Sequence, residues 1–198
     1  MTLMGNDGLA RCAWASSAPE YIAYHDEEWG RPVSDERRVY EKLCLEGFQA
    51  GLAWITILRK REAFRKAFAS FDPGVVAEFD DKDVERLLGD AGIVRHRGKI
   101  QAAITNARAT IRLRSEGTSL PAMVWRYEPR SPGGNAAVGS TPESKALSKE
   151  LRAHGFAFVG PTTLYAAMQA LGVVNDHAPG CYVRTAVESE RSAFAVPV

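Results

Sequence analysis

The sequence has few cysteines, no long apolar run and almost no net charge, and each absence argues against a class of protein. Three cysteines in 198 residues are too few for a disulfide framework. No apolar run approaches the roughly 18 residues that a membrane-spanning helix needs, so we expect no membrane role. The first residues lack the charged and apolar regions of a signal peptide, and we predict a cytoplasmic protein. A net charge of +1 gives no overall sign of a nucleic-acid partner.

Patterns typical of β-strands are also nearly absent, whereas helical periodicity occurs along most of the chain. Ile100, Ile104, Ala107 and Ile111, for example, recur at steps of four, three and four and define one buried helix face. Caps, glycines and prolines predict helices from Asp35 towards Gly51, from about Ile55 to Phe71, over 81–88, from Gly98 onwards, from Thr141 to Gly155 and from Thr162 to Leu171. Residues 156–159 are the only strand candidate and are too short to start a sheet. The predicted fold class is therefore all-α.

The length of the chain fits a single globular domain over residues 1–198. The stretch 130–140, rich in glycine and proline, predicts a flexible loop between two helices. Residues 1–10 and 186–198 lack periodicity, and we expect both tails to fray.

Four potential metal ligands lie near the two ends of the chain: Cys12, His25, His177 and Cys181. Two cysteines and two histidines are the usual complement of a closed tetrahedral zinc site. The inner pair is 177 − 25 = 152 residues apart, so a shared ion would tie the N-terminal segment to the C-terminal one. Chance placement and a Cys12–Cys181 disulfide are the alternatives, although the absence of a signal peptide argues against the disulfide.

The segment 87–100 combines a short amphipathic helix, a glycine-containing basic turn and a longer helix that begins near Gly98. This order is typical of a helix-hairpin-helix, in which amides at the start of the second helix hold a DNA phosphate. The candidate DNA contacts are Gly92, Arg95, Arg97, Gly98 and Lys99. An ordinary turn between two helices needs glycine for the same reason, and the pattern leaves both interpretations open.

A carboxylate and several aromatic residues form a second candidate site. Glu46 follows two apolar helix positions, and a buried carboxylate requires a partner or a function. Tyr21, Tyr24 and Trp54 could wall a flat pocket in which a base stacks while Glu46 accepts hydrogen bonds from its edge. A packed aromatic core with a surface glutamate is the alternative.

Five segments, taken together and in order, resemble the 3-methyladenine DNA glycosylase I family: Arg11–Trp14, Tyr21–Gly30, Leu45–Thr56, Ala91–Ile100 and Val174–Cys181. The resemblance covers about residues 10–182. It implies a helix-hairpin-helix DNA glycosylase fold whose two ends are joined by zinc. The implied activity is base excision repair of alkylation damage, in which a monofunctional enzyme excises 3-methyladenine from double-stranded DNA, leaves an abasic site and acts as a monomer.

The resemblance also implies individual roles. Cys12, His25, His177 and Cys181 would hold one structural zinc ion. Glu46 would be the catalytic residue in a base pocket completed by Tyr21, Tyr24 and Trp54. Gly51 and Leu52 match the turn that enters the gap left by the flipped nucleotide, and residues 91–98 match the hairpin that anchors the phosphate backbone. The chain departs from the family pattern in the 130–140 loop and at Phe48, where the family has a polar residue.

The resemblance also fits the absence of a second acid. Many helix-hairpin-helix glycosylases carry a catalytic aspartate beyond the hairpin, but here residues 101–120 contain Glu116 as their only acid. N3-methylation makes adenine cationic, so the base already leaves easily and a binding pocket suffices. Three rivals stay open: a glycosylase/lyase that uses the Lys99 amine, a zinc-stabilised DNA-binding module without activity, and a zinc hydrolase. A zinc hydrolase needs an open coordination position, which four protein ligands would fill.

Overall fold

The computed structural model describes residues 1–129 and 138–197, so most of the predicted 130–140 loop lies outside the described residues. The regular secondary structure of these residues is almost entirely helical, which confirms the all-α prediction. Its helices are α1 (Pro19–Glu27), α2 (Glu36–Gln49), α3 (Trp54–Ala67), α4 (Pro73–Ala77), α5 (Asp81–Gly89), α6 (Arg97–Ser115), α7 (Leu120–Trp125), α8 (Pro142–Ala153), α9 (Pro161–Ala170) and α10 (Arg184–Ala193). Two short strands, β1 (Thr2–Met4) and β2 (Ala10–Cys12), pair antiparallel, and 3-10 turns span Ala13–Ser17 and Ala69–Phe71. None of the described helices is long and apolar enough to cross a membrane.

Helix α2 occupies the centre of the fold. It begins where the Asp35 side chain accepts a hydrogen bond from the Arg38 amide at 2.9 Å, which satisfies one of the free amides of the first turn. Its buried residues, among them Leu43, Leu45 and Phe48, pack against α3, α6, α7 and α9. Because α2 is surrounded in this way, any polar residue on its inner faces is held in the interior.

Helices α5 and α6 form a helical hairpin through a turn at residues 90–96. A capping box between Asp80 and Asp83 starts α5, and the His96 ring caps α6 by accepting from the Lys99 amide at 3.2 Å. The two helices pack against each other. The first amides of α6, including that of Gly98, have no carbonyl of their own helix to bond and remain available to a ligand.

The six helices expected from the sequence correspond to α2, α3, α5, α6, α8 and α9, with ends shifted by a few residues. The helices α1, α4, α7 and α10 were not predicted. Residues 156–159 form no strand, because Phe158 has a φ of +55°, a left-handed conformation incompatible with extended pairing. The 3-10 turn before α4 is also left-handed, with φ between 50° and 55° at all three residues.

Both tails contain regular secondary structure that the sequence does not indicate. Residues 1–10 belong largely to the β1–β2 hairpin, in which Thr2 pairs with Cys12. Residues 186–198 include most of α10, whose Val187 is fully buried, and the Phe194 ring lies 4.6 Å from that of Trp125. The sequence shows no periodicity there because each end packs on the rest of the fold through only a few residues.

Candidate functional site

The four predicted metal ligands meet in one buried cluster. Cys12 ends β2, His25 lies in α1, and His177 and Cys181 lie between α9 and α10. Their ligand atoms all lie within 4.8 Å of one another. His25 Nε2 is 3.2 Å from His177 Nδ1, and Cys181 Sγ is 3.5 Å and 3.6 Å from these two nitrogens. Both thiols are free, so the Cys12–Cys181 disulfide is not formed.

These distances fit a single tetrahedral ion. Zinc bonds of about 2.0 Å to nitrogen and 2.3 Å to sulfur give tetrahedral edges of about 3.3 Å between nitrogens and about 3.5 Å between nitrogen and sulfur. Cys12 Sγ, 3.7 Å from His177 Nδ1, fits the same figure. The donor set therefore has the chemistry and the spacing of a metal site.

Outer partners orient each histidine. Asp26 Oδ1 lies 2.7 Å from His25 Nδ1 and is itself bound by Arg11, which leaves Nε2 of His25 facing the cluster. The Trp29 carbonyl lies 3.0 Å from His177 Nε2, which leaves Nδ1 for a metal. Burial lowers the pKa of His177 to about 4 and thus favours the neutral, metal-binding ring. Burial also raises the pKa of Cys12 to about 11, so a cation is needed to stabilise its thiolate.

An open cavity of about 380 Å³ lies beside the cluster, and we call it the aromatic cavity. Its lining residues are Trp14, Ser17, Tyr21, Tyr24, Trp29, Glu46, Gln49, Trp54, Ala166 and Gln169. The rings of Tyr24 and Trp54 are 5.7 Å apart, and Trp14 packs edge-on against both Tyr21 and the predicted ligand His25. The structure thus brings the predicted aromatic residues and Glu46 together and joins them to the metal cluster through Trp14.

Glu46 is the acidic group of the aromatic cavity. The residue is only 5% exposed, and among the described residues no group donates a hydrogen bond to its carboxylate. Burial raises the pKa of Glu46 to about 7, an effect that Lys42 opposes. A desolvated carboxylate without a protein partner can accept hydrogen bonds from a ligand that enters the cavity.

Several residues around this cavity were missed in the sequence. Lys42, four residues before Glu46 on α2, is buried behind the cavity, and the i, i+4 spacing could have signalled this. Gln169 lines the cavity and donates at 2.8 Å to Asp176, whose other carboxylate oxygen is buried without a partner among the described residues. Trp14 stands in a 3-10 turn that carries no periodic signal.

The predicted DNA-contact residues separate into two groups. Gly51 has a φ of +83° and places Leu52, which is 39% exposed, at the tip of the turn between α2 and α3. Arg95 and Arg97 are exposed on the hairpin, where Arg97 pairs with Glu85 at 2.7 Å. These groups are accessible to a large partner.

Lys99 and Gly92 instead make contacts within the protein. Lys99 is 9% exposed, and its ammonium donates to the carbonyls of Phe48 at 2.8 Å and Ala50 at 2.6 Å. The Gly92 amide donates to Asp90 at 2.7 Å, and a Cβ at Gly92 would lie only 3.0 Å from that of Ala63. Lys99 therefore ties the hairpin to the end of α2, just before the Gly51–Leu52 turn, and Phe48 points into the core instead of the cavity.

Comparison with known proteins gives a consistent result. A family model described as methyladenine glycosylase matches residues 14–185. DNA-3-methyladenine glycosylase 1 of Escherichia coli K12 is 51% identical over 179 residues, which cover 87% of this chain and 96% of the relative. The DNA-3-methyladenine glycosylase of Haemophilus influenzae is 41% identical over 181 residues, which cover 88% and 98%.

Solved structures agree with the sequence relatives. A crystal structure of 3-methyladenine DNA glycosylase I superposes with a TM-score of 0.83 at 50% identity and covers 87% of this chain and 98% of that one. The 3-methyladenine DNA glycosylase I of Staphylococcus aureus, solved to explain 3-methyladenine recognition, superposes with a TM-score of 0.81 at 33% identity, with 88% and 96% covered.

Proposed function

The chain belongs to the methyladenine glycosylase family, and we propose that it excises 3-methyladenine from alkylated DNA as a monofunctional N-glycosylase. The observation that carries this proposal is the buried Glu46 carboxylate, which has no donor among the described residues and faces a cavity walled by aromatic rings. A flat base fits between such rings, and an adenine edge with its amino group supplies the donors that the carboxylate lacks. Two curated relatives carry the name of this activity.

The chemistry needs little more than this cavity. N3-methylated adenine is cationic in DNA and leaves as a neutral base, so the glycosidic bond is weak before the enzyme acts. Glu46 recognises the adenine edge, while Tyr21, Tyr24 and Trp54 stack on the flipped base and orient it. As the C1′–N9 bond breaks, positive charge passes from the base to the sugar, and water adds to C1′ with loss of a proton. The products are free 3-methyladenine and an abasic site.

Double-stranded DNA would be held at two places. The exposed Leu52 at the tip of the Gly51–Leu52 turn fills the gap that the flipped nucleotide leaves. Arg95, Arg97 and the amide of Gly98 at the start of α6 bind a phosphate, as in a helix-hairpin-helix. Lys99 supports the turn from behind, because its ammonium holds the carbonyls at the end of α2.

The metal is proposed to be one structural zinc ion held by Cys12, His25, His177 and Cys181. Zinc with four protein ligands fixes chain segments in place and offers no open position for a substrate or water. In this role it would hold β2, α1 and the segment before α10 together, and so support the wall of the aromatic cavity that includes Tyr24 and Trp29.

We further propose that residues 1–198 form one globular domain that acts as a monomer in the cytoplasm. Helix α2 supports the single domain, because it packs against α3 and α6 as well as against α9 near the other end of the chain. The three free cysteines are consistent with a reducing compartment.

The decisive experiment measures free 3-methyladenine released from methylated duplex DNA. We expect release by the wild-type protein and none by Glu46→Ala, with metal content and melting temperature unchanged in the variant. Glu116→Ala is the matched control, because Glu116 is the only acid in residues 101–120 and is half exposed on α6's end. Near-normal release by Glu46→Ala would contradict the assignment of Glu46.

The same reaction separates the proposed enzyme from the three rival functions, and a zinc hydrolase would release no base. Borohydride should trap no covalent adduct between the protein and DNA, whereas a lyase that uses the Lys99 amine would be trapped. A DNA-binding module without activity would bind methylated and intact duplex alike and release no base.

A further inference from the structure

A buried lysine lies directly behind the aromatic cavity and takes no part in the chemistry described so far. Lys42 is 6% exposed and stands one helical turn before Glu46 on α2. Its ammonium donates to the Tyr24 hydroxyl at 3.1 Å and lies 4.9 Å from the centre of the Tyr24 ring and 4.7 Å from that of Trp54. Two of the proposed stacking rings thus converge on one positive charge.

The charge of Lys42 is balanced from the side away from the aromatic cavity. Glu28 Oε1 lies 3.5 Å from the ammonium, and Arg61 binds the same carboxylate at 2.6 Å. Lys42 lines a separate small cavity of about 70 Å³ together with Glu28 and Arg61, and it does not line the aromatic cavity itself. A base in the aromatic cavity would therefore meet Tyr24, Trp54 and Glu46 but not the lysine.

Lys42 lies one helical turn before Glu46 on α2. Lys42 forms its ion pair with Glu28, and its positive charge acts on Glu46 through the protein interior, where little water screens the interaction. The other charged or titratable groups on the elements around Glu46 are Tyr21, Tyr24 and Glu28 from the α1 side, Arg61 from α3, Lys99 from α6, and Tyr165 and Asp176 from α9 and the segment after it. Of all these, Lys42 is the one that opposes the effect of burial on the pKa of Glu46.

We propose that Lys42 is a positioning residue for excision, which fixes the Tyr24 hydroxyl and stabilises the negative charge of Glu46. The inference rests on the proposed function, because it assigns Lys42 a task in holding the flipped base. A buried cation costs free energy unless it is paired, and Lys42 is paired with Glu28 and hydrogen-bonded to Tyr24. Its position between Glu28 and the two rings allows the buried charge to act on the residues that would bind the base.

The sign of the expected pH dependence follows from the charges. Glu46 accepts hydrogen bonds from the base as a carboxylate, which predominates above its pKa of about 7. Removing the nearby positive charge raises that pKa, so binding should need a higher pH. For two charges one helical turn apart, the shift is roughly one to two pH units, so the ionised fraction at pH 7 falls by a factor of roughly 5 to 50.

The test compares the pH dependence of 3-methyladenine release from methylated duplex DNA in four proteins. Lys42→Met keeps the length of the side chain without the charge. The fall in activity on the acidic side of the pH profile (the acid limb) should move to higher pH, with activity recovered near pH 9. Lys42→Arg keeps the charge and should keep the wild-type limb. Lys149→Met, an exposed lysine on α8, controls for the change in net charge.

A second measurement keeps the proposal testable if Lys42→Met does not fold. Lys42→Gln retains a hydrogen-bond donor for Tyr24 and should still shift the pH dependence of free 3-methyladenine binding, followed by quenching of Trp14, Trp29 and Trp54. The inference would be overturned if both neutral variants lost activity or binding at the same acidic pH as the wild type. It would also be overturned if the pH profile of Lys42→Arg moved as far as the profiles of the neutral variants. Absence of release by the wild-type protein would instead refute the proposed function.

Discussion

Cys181→Ala removes one corner of the metal cluster and tests whether the ion joins the two ends of the chain. Cys12 and His177 are 165 residues apart, and closing a loop of that size is associated with about 5 kcal/mol of chain entropy, a contribution that is lost if the three ligands left in the variant no longer hold the ion. A structural zinc site contributes about 10–16 kcal/mol, or about 3 kcal/mol for each of its four ligands. We therefore expect the variant to lose about 3–5 kcal/mol of unfolding free energy, a large part of the 5–15 kcal/mol that is usual for a domain.

The measurement is urea unfolding of each protein with and without a strong chelator, together with elemental analysis of the purified protein. The wild type should carry one zinc ion per chain and lose stability when the chelator removes it. Cys181→Ala should be less stable from the start and should respond weakly to the chelator. Excision activity should fall only in proportion to the folded fraction, because the ion takes no part in the reaction.

Cys44→Ala is the matched control. Cys44 is equally buried, but it lies on α2 away from the cluster, so its loss removes packing without a ligand. We expect a cost of about 1–2 kcal/mol from the cavity and a full response to the chelator. If the wild type contains no metal, or if the chelator affects Cys181→Ala as strongly as the wild type, the proposal that a zinc ion joins the two ends of the chain is refuted.

Three further predictions concern other parts of the fold. Leu52→Ala should reduce excision from duplex DNA about tenfold, because the variant loses most of the apolar side chain that the bound DNA would bury. The affinity for free 3-methyladenine, measured by fluorescence, should not change. Lys99→Met should leave the carbonyls of Phe48 and Ala50 without their donor, lower stability by about 2 kcal/mol in urea unfolding and weaken DNA binding in a filter assay. Ser70→Gly should raise the melting temperature, since Ser70 is exposed at a φ of 54° and glycine removes about 1 kcal/mol of strain; an unchanged or lower value would contradict this explanation.

The metal cluster was the most predictable part of the site, because few residue types bind such an ion and the sequence has few of them. Residue identity alone selects Cys12, His25, His177 and Cys181, and the fold brings them within bonding distance of a common centre. Helix positions were predictable for a related reason. Long amphipathic segments such as α2 and α6 have to bury one face, and their sequences show which face it is.

Long basic side chains were the least predictable. Lys99 follows a glycine in a basic turn, a pattern that favours a phosphate contact, yet its ammonium binds carbonyls at the end of α2. Lys42 lies on a helix among charged neighbours and was not singled out, although α1 and α3 enclose it. A lysine side chain spans several ångströms, so its destination depends on elements distant in sequence.

Short elements were missed for a thermodynamic reason. The β1–β2 hairpin, α7 and α10 are too short to be stable alone, and they form because the rest of the protein covers a few of their residues. Val187 on α10 shows this dependence, since it packs with Cys12, Cys181 and Val183 around the metal ligands.

The origin of the metal ligands also sets an order of events during synthesis. His177 and Cys181 leave the ribosome long after Cys12 and His25, so the growing chain has to wait for residue 181 before an ion can be enclosed. Helices α5 and α6 are complete well before that point, and so are α2 and α4, against which α6 also packs. A nascent chain can therefore form the hairpin surface that is proposed to bind the DNA backbone before the aromatic cavity proposed to bind the damaged base is complete.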